Sequence, residues 1–303
     1  TYSPPDKERE RWLSRVADNR SAGLLELREA VFELLMPARH HRILDLHADD
    51  GLFLWEALRR APEGGVTGFV GSEEHETHLR RYAEALELSE RPELVVAAPH
   101  DTDTADYSPA ALHSGHHRAF DRIVGRNCST RVREKRPLLS GISQMIAGDG
   151  TAVLAEAIPR RSPRLSELSD IETMPRELAD LLLEAERILY DELDLDMLAW
   201  DGEDIREAAR AEGFEAVDLH YHRIEEHRLI RAEHIRRWLS LDSGQGSDRN
   251  LAGAARRAAL KTNGTSGAAD ADTQIEALAG ELIRRLADRS IRWHTEYALL
   301  RLR

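Results

Sequence analysis

Residues 42–51 read RILDLHADDG, and this stretch decides the fold class that the sequence predicts. It opens with a short apolar run, continues through a polar loop and ends at Gly51. The next residues, GLFLWEALRR at 51–60, have the apolar spacing of an amphipathic helix, which Pro62 brings to an end. A short buried strand, a tight loop and a helix in this order are typical of the first unit of an alternating α/β sheet.

Strands and helices continue to alternate along the chain beyond this unit. Most of the strands are apolar on both faces, which is typical of a parallel sheet that helices cover on both sides. Such a sheet is doubly wound, and its strand-to-helix loops line the edge at which ligands bind. Further strands are expected at 66–70, 94–98, 120–124, 151–158, 215–224 and 293–302.

The domain organisation follows from where this alternation holds. We expect an N-terminal helical segment at 1–40 and one α/β domain at 41–303, with helical inserts at about 160–200 and 231–290. Residues 242–273 are expected to be mobile, because much of this stretch is polar or small and offers nothing to bury. The first residue is not Met, so we also expect the chain to be a piece of a longer protein.

The composition narrows the functional classes. With 303 residues, 41% of them hydrophobic, the chain can bury a core and is not wholly disordered. A net charge of −13 argues against a surface that coats nucleic acid, although it is compatible with a local basic patch. No apolar run approaches the roughly 20 residues of a membrane helix. Cys128 is the only cysteine, so we expect a cytoplasmic protein without a disulfide framework.

Basic residues follow the fourth and fifth predicted strands. Because the carboxyl ends of parallel strands meet at one edge, we expect these residues to converge there as a phosphate or nucleic-acid contact surface. The alternative is that they pair with neighbouring Glu and Asp side chains. The residues of this predicted basic edge are Arg126, Arg131, Arg133, Lys135, Arg136, Arg160, Arg161 and Arg164.

Other polar clusters do not have the spacing of a metal site. The loop 113–117 carries three histidines without a cysteine or carboxylate at a fixed distance. His220 and His222 alternate on a strand and share a face, which is typical of an edge-strand surface. The acidic stretch 194–204 lacks the glycine and terminal Glu of a calcium loop and is interpreted as a helix terminus and cap. We therefore predict no metal site.

Four segments resemble the class I S-adenosylmethionine-dependent methyltransferases. RILDLHADDG stands where that family has a Leu-Asp-Leu-Gly-x-Gly-x-Gly loop, and FDRIVGRN at 120–127 resembles its fourth strand. ISQMIAGDGTAVLAEAIP at 142–159 resembles the following helix, glycine turn and fifth strand, and AEGFEAVDL at 211–219 resembles the start of the sixth. The resemblance implies a Rossmann-like sheet of seven strands whose last strand is antiparallel and lies beside the sixth.

The resemblance also implies which positions would face S-adenosylmethionine. Aligned on Asp45, the family's first two loop glycines fall at His47 and Asp49, and only Gly51 is retained. Val70 stands where the family has the acid that holds the ribose hydroxyls. The positions that match the family's cofactor contacts are Asp45, His47, Asp49, Gly51, Glu73, Asp101 and Asn127.

The two lost glycines weaken the predicted cofactor site. Side chains at 47 and 49 would occupy room that the cofactor enters, and Asp49 would bring a carboxylate towards the cofactor's own. Like charges about 4 Å apart cost about 1 kcal/mol in water and several at lower dielectric. We assign no catalytic residue. RNCS at 126–129 is not the Asn/Asp-Pro-Pro-aromatic motif used on base amino groups, and a lone cysteine such as Cys128 is typical of packing.

More narrowly, the chain resembles the methyltransferase-like domain at the C-terminus of some bacterial RarA-type AAA ATPases. The segments that carry this resemblance are YSPPDKERERWL at 2–13, WEALRRAPEGGV at 55–66, FDRIVGRNCST at 120–130 and RWHTEYALLRLR at 292–303. It implies an AAA ATPase module in the same polypeptide, a role in replication-associated recombination and repair, and DNA as a partner.

Three functional hypotheses follow. The leading one is a methyltransferase-fold domain with an eroded cofactor loop, which serves the ATPase as a non-catalytic binding or regulatory module. The alternative is an active methyltransferase with an altered loop, whose substrate is chosen by the two inserts. A nicotinamide-binding Rossmann enzyme fits worse, because it requires a G-x-G-x-x-G turn where this chain has HADDG.

Overall fold

The computed structural model describes residues 22–97, 120–240, 250–262 and 268–303. These residues divide into two compact units. The sheet unit takes its described residues from Thr1–Pro159, Trp200–Ile224 and Glu296–Arg303. The helical unit consists of the described residues of Arg160–Ala199 and Glu225–Thr295.

A seven-stranded sheet has the order β3-β2-β1-β4-β5-β7-β6. Its strands are β1 Arg42–Asp45, β2 Gly65–Val70, β3 Glu93–Val96, β4 Phe120–Arg126, β5 Ile146–Ala157, β6 Val217–Ile230 and β7 Arg289–Leu302. The first five strands pair in parallel, and β7 pairs with β5 in antiparallel fashion. The predicted doubly wound sheet with an antiparallel last strand is confirmed. The strand order reverses between β1 and β4, and the crevice at such a point is where ligands bind in these sheets.

Ten α-helices lie in the described parts of the chain, and none of them is both long and apolar enough to cross a membrane. They are α1 Ala22–Leu35, α2 Leu52–Arg60, α3 Glu73–Ala83, α4 Arg136–Met145, α5 Leu165–Leu168, α6 Arg176–Arg187, α7 Gly202–Ala211, α8 Ala232–Trp238, α9 Leu251–Thr262 and α10 Ala268–Leu286. The predicted N-terminal helical segment is represented by α1, and residues 1–21 lie outside the described ranges.

Apolar clusters cover both faces of the sheet. Successive residues of a strand point to opposite faces, so Ile43 and Leu44 belong to different clusters. Ile43 lies in the cluster that contains Phe32 of α1 and Leu54 of α2, whereas Leu44 lies in the one that contains Ile142 of α4. This two-sided burial explains why the first strand is apolar on both faces.

The helical unit corrects one prediction. Residues 251–262 and 268–273, which were expected to be mobile, are helical. The reason is that α9 buries a row of alanines, including Ala254, Ala255 and Ala258, in the core that it shares with α6 and α10. Small side chains allow helix backbones to approach closely, so a stretch of low hydrophobicity still buries its face. The remaining parts of 242–273 lie outside the described residues.

Several element boundaries also differ from the prediction. Strand β5 begins at Ile146 instead of 151, and the pairing of β4 with β5 shifts register between Phe120 and Arg122. That irregularity accommodates the Gly-Asp-Gly turn at 148–150 within the strand. Strand β6 extends to Ile230 and β7 begins at Arg289, because charged residues on exposed strand positions do not interrupt pairing.

Candidate functional site

The loop between β1 and α2 lies at the carboxyl edge of the sheet, where the strand order reverses. Its backbone is hydrogen-bonded to both neighbouring strands: Leu46 N–H donates to the Val124 carbonyl and Ala48 N–H to the Phe69 carbonyl, each at 2.8 Å. Gly51 ends the loop with φ +71°, and a Cβ there would lie 2.3 Å from Nε1 of Trp55. Glycine at this position is therefore required by the turn itself.

His47 connects the loop to β4. Its backbone N–H donates to Asp45 Oδ1 at 3.1 Å, its Nδ1 lies 2.7 Å from the Arg126 carbonyl oxygen, and its Nε2 lies 3.3 Å from Asp49 Oδ2. Burial acts to lower the pKa of His47, but the hydrogen bonds and the charge of Asp49 outweigh it and raise the pKa above its ordinary value. The imidazole ring stands at the position that the resemblance aligns with the first loop glycine.

Asp49 connects the same loop to β2 and α3. Its Oδ1 accepts a hydrogen bond from Gly71 N–H at 2.7 Å, and its Oδ2 lies 3.2 Å from Nδ1 of His75. Burial acts to raise the pKa of Asp49, whereas its bonds to His47 and Gly71 lower it below the ordinary value. We call His47, Asp49, Gly71 and His75 the Asp49 bridge.

A second ion pair lies beside this bridge. The guanidinium group of Arg126 binds Asp50 Oδ2, while Asp50 Oδ1 accepts from Leu52 N–H at 2.9 Å and caps the first turn of α2. Asp45, which is fully buried, has no hydrogen-bond partner for its Oδ2 among the described residues. Burial raises the pKa of Asp45 to about 7, although the His47 N–H partly opposes this.

Asn127 closes the end of β4 against β5. Its backbone has φ +54°, its N–H donates to the Ala155 carbonyl at 3.0 Å, and its side-chain Oδ1 accepts from Ala157 N–H at 3.0 Å. The same Oδ1 lies 3.2 Å from the Thr130 hydroxyl. The side-chain oxygen of this cofactor-matching residue is therefore used to join two strands.

The cofactor-matching residue Glu73 does not join this group. Glu73 is the first residue of α3 and is exposed. Asp101 lies outside the described residues. The structure therefore brings together Asp45, His47, Asp49 and Gly51 with Arg126, and it adds His75, which the sequence analysis missed. One signal could have indicated His75: it comes three residues after the cap Ser72, in the first turn of the helix that follows β2.

A buried acid organises the loop after β4. Glu156 is fully buried and accepts hydrogen bonds from Cys128 N–H at 2.8 Å, from Ser129 N–H at 3.2 Å and from the Thr130 hydroxyl at 2.7 Å. Burial raises the pKa of Glu156, against the opposing effect of Lys135. Burial also raises the pKa of the Cys128 thiol well above its ordinary value, which disfavours its use as a nucleophile.

Lys135, which the sequence analysis placed on the predicted basic edge, is the buried positive charge of this cluster. Only 4% of it is exposed, and its ammonium group donates to the Ser129 and Val132 carbonyls and lies 4.0 Å from the ring centroid of Trp200. Trp200 Nε1–H in turn donates to the Thr130 carbonyl at 3.0 Å. The charge of Lys135 is therefore held inside the loop, and not on the exposed edge where the sequence analysis placed it.

The remaining basic residues differ in exposure. Arg131 and Arg133 are exposed, and Arg136 is exposed but pairs with Glu212 at 2.7 Å. Arg126 is mostly buried with Asp50, so its guanidinium group is directed at the loop and not at solvent. These residues belong to the sheet unit. Arg160 is exposed, Arg161 is half-buried, and Arg164 lies 4.6 Å from the Tyr190 ring centroid, all within the helical unit.

Within the described ranges, no three or more His, Cys, Asp or Glu side chains are placed to hold a metal ion. The histidines of 113–117 lie outside those ranges, and His220 is exposed on β6. Asp201 and Asp204 form a capping box at the start of α7, which confirms that part of the acidic stretch is a helix cap.

The described residues do not fit S-adenosylmethionine as they are arranged. The two side chains that replace loop glycines are hydrogen-bonded to each other, and Asp49 takes the backbone N–H of Gly71 at the end of β2. Asn127 is bonded to β5, and no acid follows β2 before the exposed Glu73. Apart from the buried Oδ2 of Asp45, these polar groups are hydrogen-bonded to one another, so a ligand would have to displace them.

No protein-family model matches this chain, and no curated protein matches its sequence. Solved structures with a similar fold include a mycolic acid cyclopropane synthase, with a TM-score of 0.47 and 14% identity, covering 100% of this chain and 90% of that one. A cyclopropane synthase from Mycobacterium tuberculosis has a TM-score of 0.44 and 13% identity, covering 98% and 94%. A precorrin-6y C5,15-methyltransferase from Geobacter metallireducens has a TM-score of 0.42 and 13% identity, covering 68% and 79%. At these identities the likeness concerns the fold alone, and fold by itself does not identify a function.

Proposed function

We propose that this chain is a methyltransferase-fold domain that has lost its cofactor site and works as a non-catalytic binding or regulatory module. The Asp49 bridge is the observation that carries this proposal. Imidazole and carboxylate groups stand at two positions where the family has glycine, and they tie the loop to the ends of the adjacent strands.

The cost of opening this edge explains why binding is disfavoured. A ligand that entered would have to separate Asp49 from Gly71 N–H and from two histidines, and would leave a carboxylate beside its own negative groups. A hydrogen bond to a charged group contributes about 1.5–3 kcal/mol, so breaking the set would offset much of the roughly 8 kcal/mol of a micromolar complex.

Calorimetry with S-adenosylmethionine tests the proposal directly. We expect no heat of binding with the unmodified chain, and measurable binding when the double substitution His47→Gly and Asp49→Gly restores the glycines that the family has. Micromolar binding by the unmodified chain, abolished by Asp45→Ala, would contradict the proposal. In that event the alternative, an active methyltransferase with an altered loop, would replace it.

We also propose that the module acts within a polypeptide that carries an AAA ATPase of replication-associated recombination or repair. Sequence resemblance in four segments is the support for this association. The sequence upstream of Thr1 tests it, because a Walker A motif there is expected and its absence would count against the fusion.

DNA is the partner that we propose for the exposed arginines of the sheet unit. Arg131 and Arg133 are exposed in the loop after β4, and Arg136, which is exposed and paired with Glu212, follows them. We expect Ala at these three positions to weaken binding to single- or double-stranded DNA at low salt, whereas Arg81→Ala on α3 leaves it unchanged. No DNA binding by the unmodified chain at low salt would end this proposal.

A further inference from the structure

We propose that the Asp49 bridge is a pH-sensitive latch, in which protonated His47 holds the loop between β1 and α2 closed and loss of that proton releases it. This inference rests on the proposed function, since it concerns regulation of the same closed edge. It requires only contacts made by His47 and Asp49 within the sheet unit.

The hydrogen-bond chemistry of His47 carries the inference. Its Nδ1 lies 2.7 Å from a backbone carbonyl oxygen of Arg126, and its Nε2 lies 3.3 Å from a carboxylate oxygen of Asp49. Both oxygens only accept hydrogen bonds. A neutral imidazole has one N–H and can satisfy one of them, whereas the imidazolium has two and satisfies both. When His47 loses its proton, one of its ring nitrogens directs a lone pair at an oxygen that can only accept, and that contact is no longer a hydrogen bond.

The charges around His47 favour the closed, protonated state. Asp49 on the same loop favours the proton of His47 through its negative charge, and buried Asp45 at the end of β1 adds to this once it ionises at about pH 7. The guanidinium group of Arg126 on β4 is paired with Asp50 and also hydrogen-bonds Tyr297 of β7. His75 of α3 faces the Asp49 oxygen that His47 also faces. Because Arg126 is paired with Asp50, the positive charge of protonated His47 balances the negative charge of Asp49.

The direction of the pH effect follows from these contacts. Because the pKa of His47 is raised in the folded protein, the stabilisation from its proton is complete below about 6.5, the unfolded value, and is lost as pH rises through the folded value. The latch is therefore closed below about pH 6.5 and loosens as pH rises through the folded value of His47. Without the His47 proton, Asp49 is held only by Gly71 N–H and His75, so the loop opens more often and exposes the N–H of Gly71.

Two measurements by NMR on the unmodified chain test the latch. The ring nitrogens of His47 should both carry hydrogen at pH 6 and titrate above the ordinary value for histidine. Over the same pH range, the hydrogen-exchange protection of Gly71 N–H should fall as His47 loses its proton. Protection of Ala97 N–H, which donates to the Val70 carbonyl at 2.8 Å, should stay constant.

Matched variants separate the latch from a general pH effect. His47→Gln should make Gly71 protection independent of pH, and His78→Gln on the exposed side of α3 should leave the profile unchanged. A single ring N–H on His47 at pH 6, or a Gly71 profile that does not follow its titration, would overturn the latch. Binding of S-adenosylmethionine at pH 6 would instead contradict the proposed function and leave the titration of His47 as it is.

Discussion

Asp45 carries an ionisable carboxyl group at the end of β1, where none of its surface reaches solvent. Its Oδ1 accepts one hydrogen bond from the loop, and its Oδ2 has no partner among the described residues. A buried carboxylate without a counter-charge in contact is unfavourable, so the proton is retained up to about pH 7. This residue makes the stability of the sheet unit sensitive to pH.

We predict that Asp45→Asn makes the free energy of unfolding depend less on pH. The folded protein holds the Asp45 proton more tightly than the unfolded chain, so the free energy of unfolding decreases as pH rises from about 4 to about 7. The shift corresponds to on the order of 4 kcal/mol. Asparagine has no such charge, so at pH 8 the variant should be more stable than the unmodified chain. Urea unfolding at several pH values measures the difference.

Asp49→Asn is the matched control, because the sign of its effect is opposite. The pKa of Asp49 is lowered, so its stabilising contribution is present above about 4 and is lost as pH falls through the folded value. The Asp49→Asn variant should therefore be less stable than the unmodified chain at neutral pH, and the difference in stability should disappear in acid. Parallel stability profiles for the unmodified chain and Asp45→Asn would show that Asp45 does not titrate as described.

The loop from β4 to α4 is held by a charge pair that it encloses. Glu156 of β5 accepts hydrogen bonds from three successive residues of the loop, and Lys135 at its end donates to two of its carbonyls. Trp200 covers the ammonium group. An element without regular secondary structure is thus positioned by side chains from a neighbouring strand and from a residue far along the chain.

We predict that Lys135→Met destabilises the protein by about 3 kcal/mol, because Glu156 then remains buried without a positive charge. Methionine retains much of the aliphatic length, so lost packing contributes little. Adding Glu156→Gln should recover part of the loss, and a double-mutant cycle measured by chemical denaturation gives the coupling. The exposed neighbour Arg133→Met should change stability by less than about 0.5 kcal/mol. If the effects of the two substitutions on the free energy of unfolding are additive, Lys135 and Glu156 do not interact as described.

The helical unit has a hydrophobic core of its own. That core is formed by two separate chain segments, which contribute α6 from the first and α9 and α10 from the second. Leu182 and Ala185 of α6 are buried in the same cluster as Ala255 and Ala258 of α9. Because alanines form much of this core, its stability depends on side chains that stay small where α6 and α9 are in contact.

We predict that Ala258→Leu destabilises the helical unit by about 1–3 kcal/mol, since the larger side chain must displace α6. Hydrogen exchange followed by mass spectrometry should show faster exchange in α6 and α9 and unchanged exchange in β1 and α2. Leu260→Ala on the same helix, where the side chain is 46% exposed, should have little effect. Faster exchange throughout both units would contradict this division of the core.

The alternation of strands and helices could be predicted from sequence because it is a local pattern. Residues 42–60 show a strand, a turn and a helix within one short stretch, and the structure has β1, Gly51 and α2 there. The register of β5 and the helix α9 could not be predicted in the same way. The first depends on pairing with β4, and the second on alanines that are buried only because α6 lies against them.

The candidate site was predicted in part. The sequence identified His47 and Asp49 as side chains in a loop where glycine was expected, but it did not include His75 or indicate that Lys135 is buried. Partners at such separations cannot be read from spacing, since parallel strands bring together residues that lie far apart in the chain.

The sequence by itself determined the alternating fold and the presence of His47 and Asp49 in the loop after the first strand, because both depend on residues close together in the chain. Only the tertiary structure decided what the replacing side chains do. Carboxyl ends of β1, β2 and β4 meet at one edge, so His47 reaches a carbonyl of β4 while Asp49 reaches an amide after β2. Those bonds join residues 79 and 22 positions apart, and folding alone sets their distances.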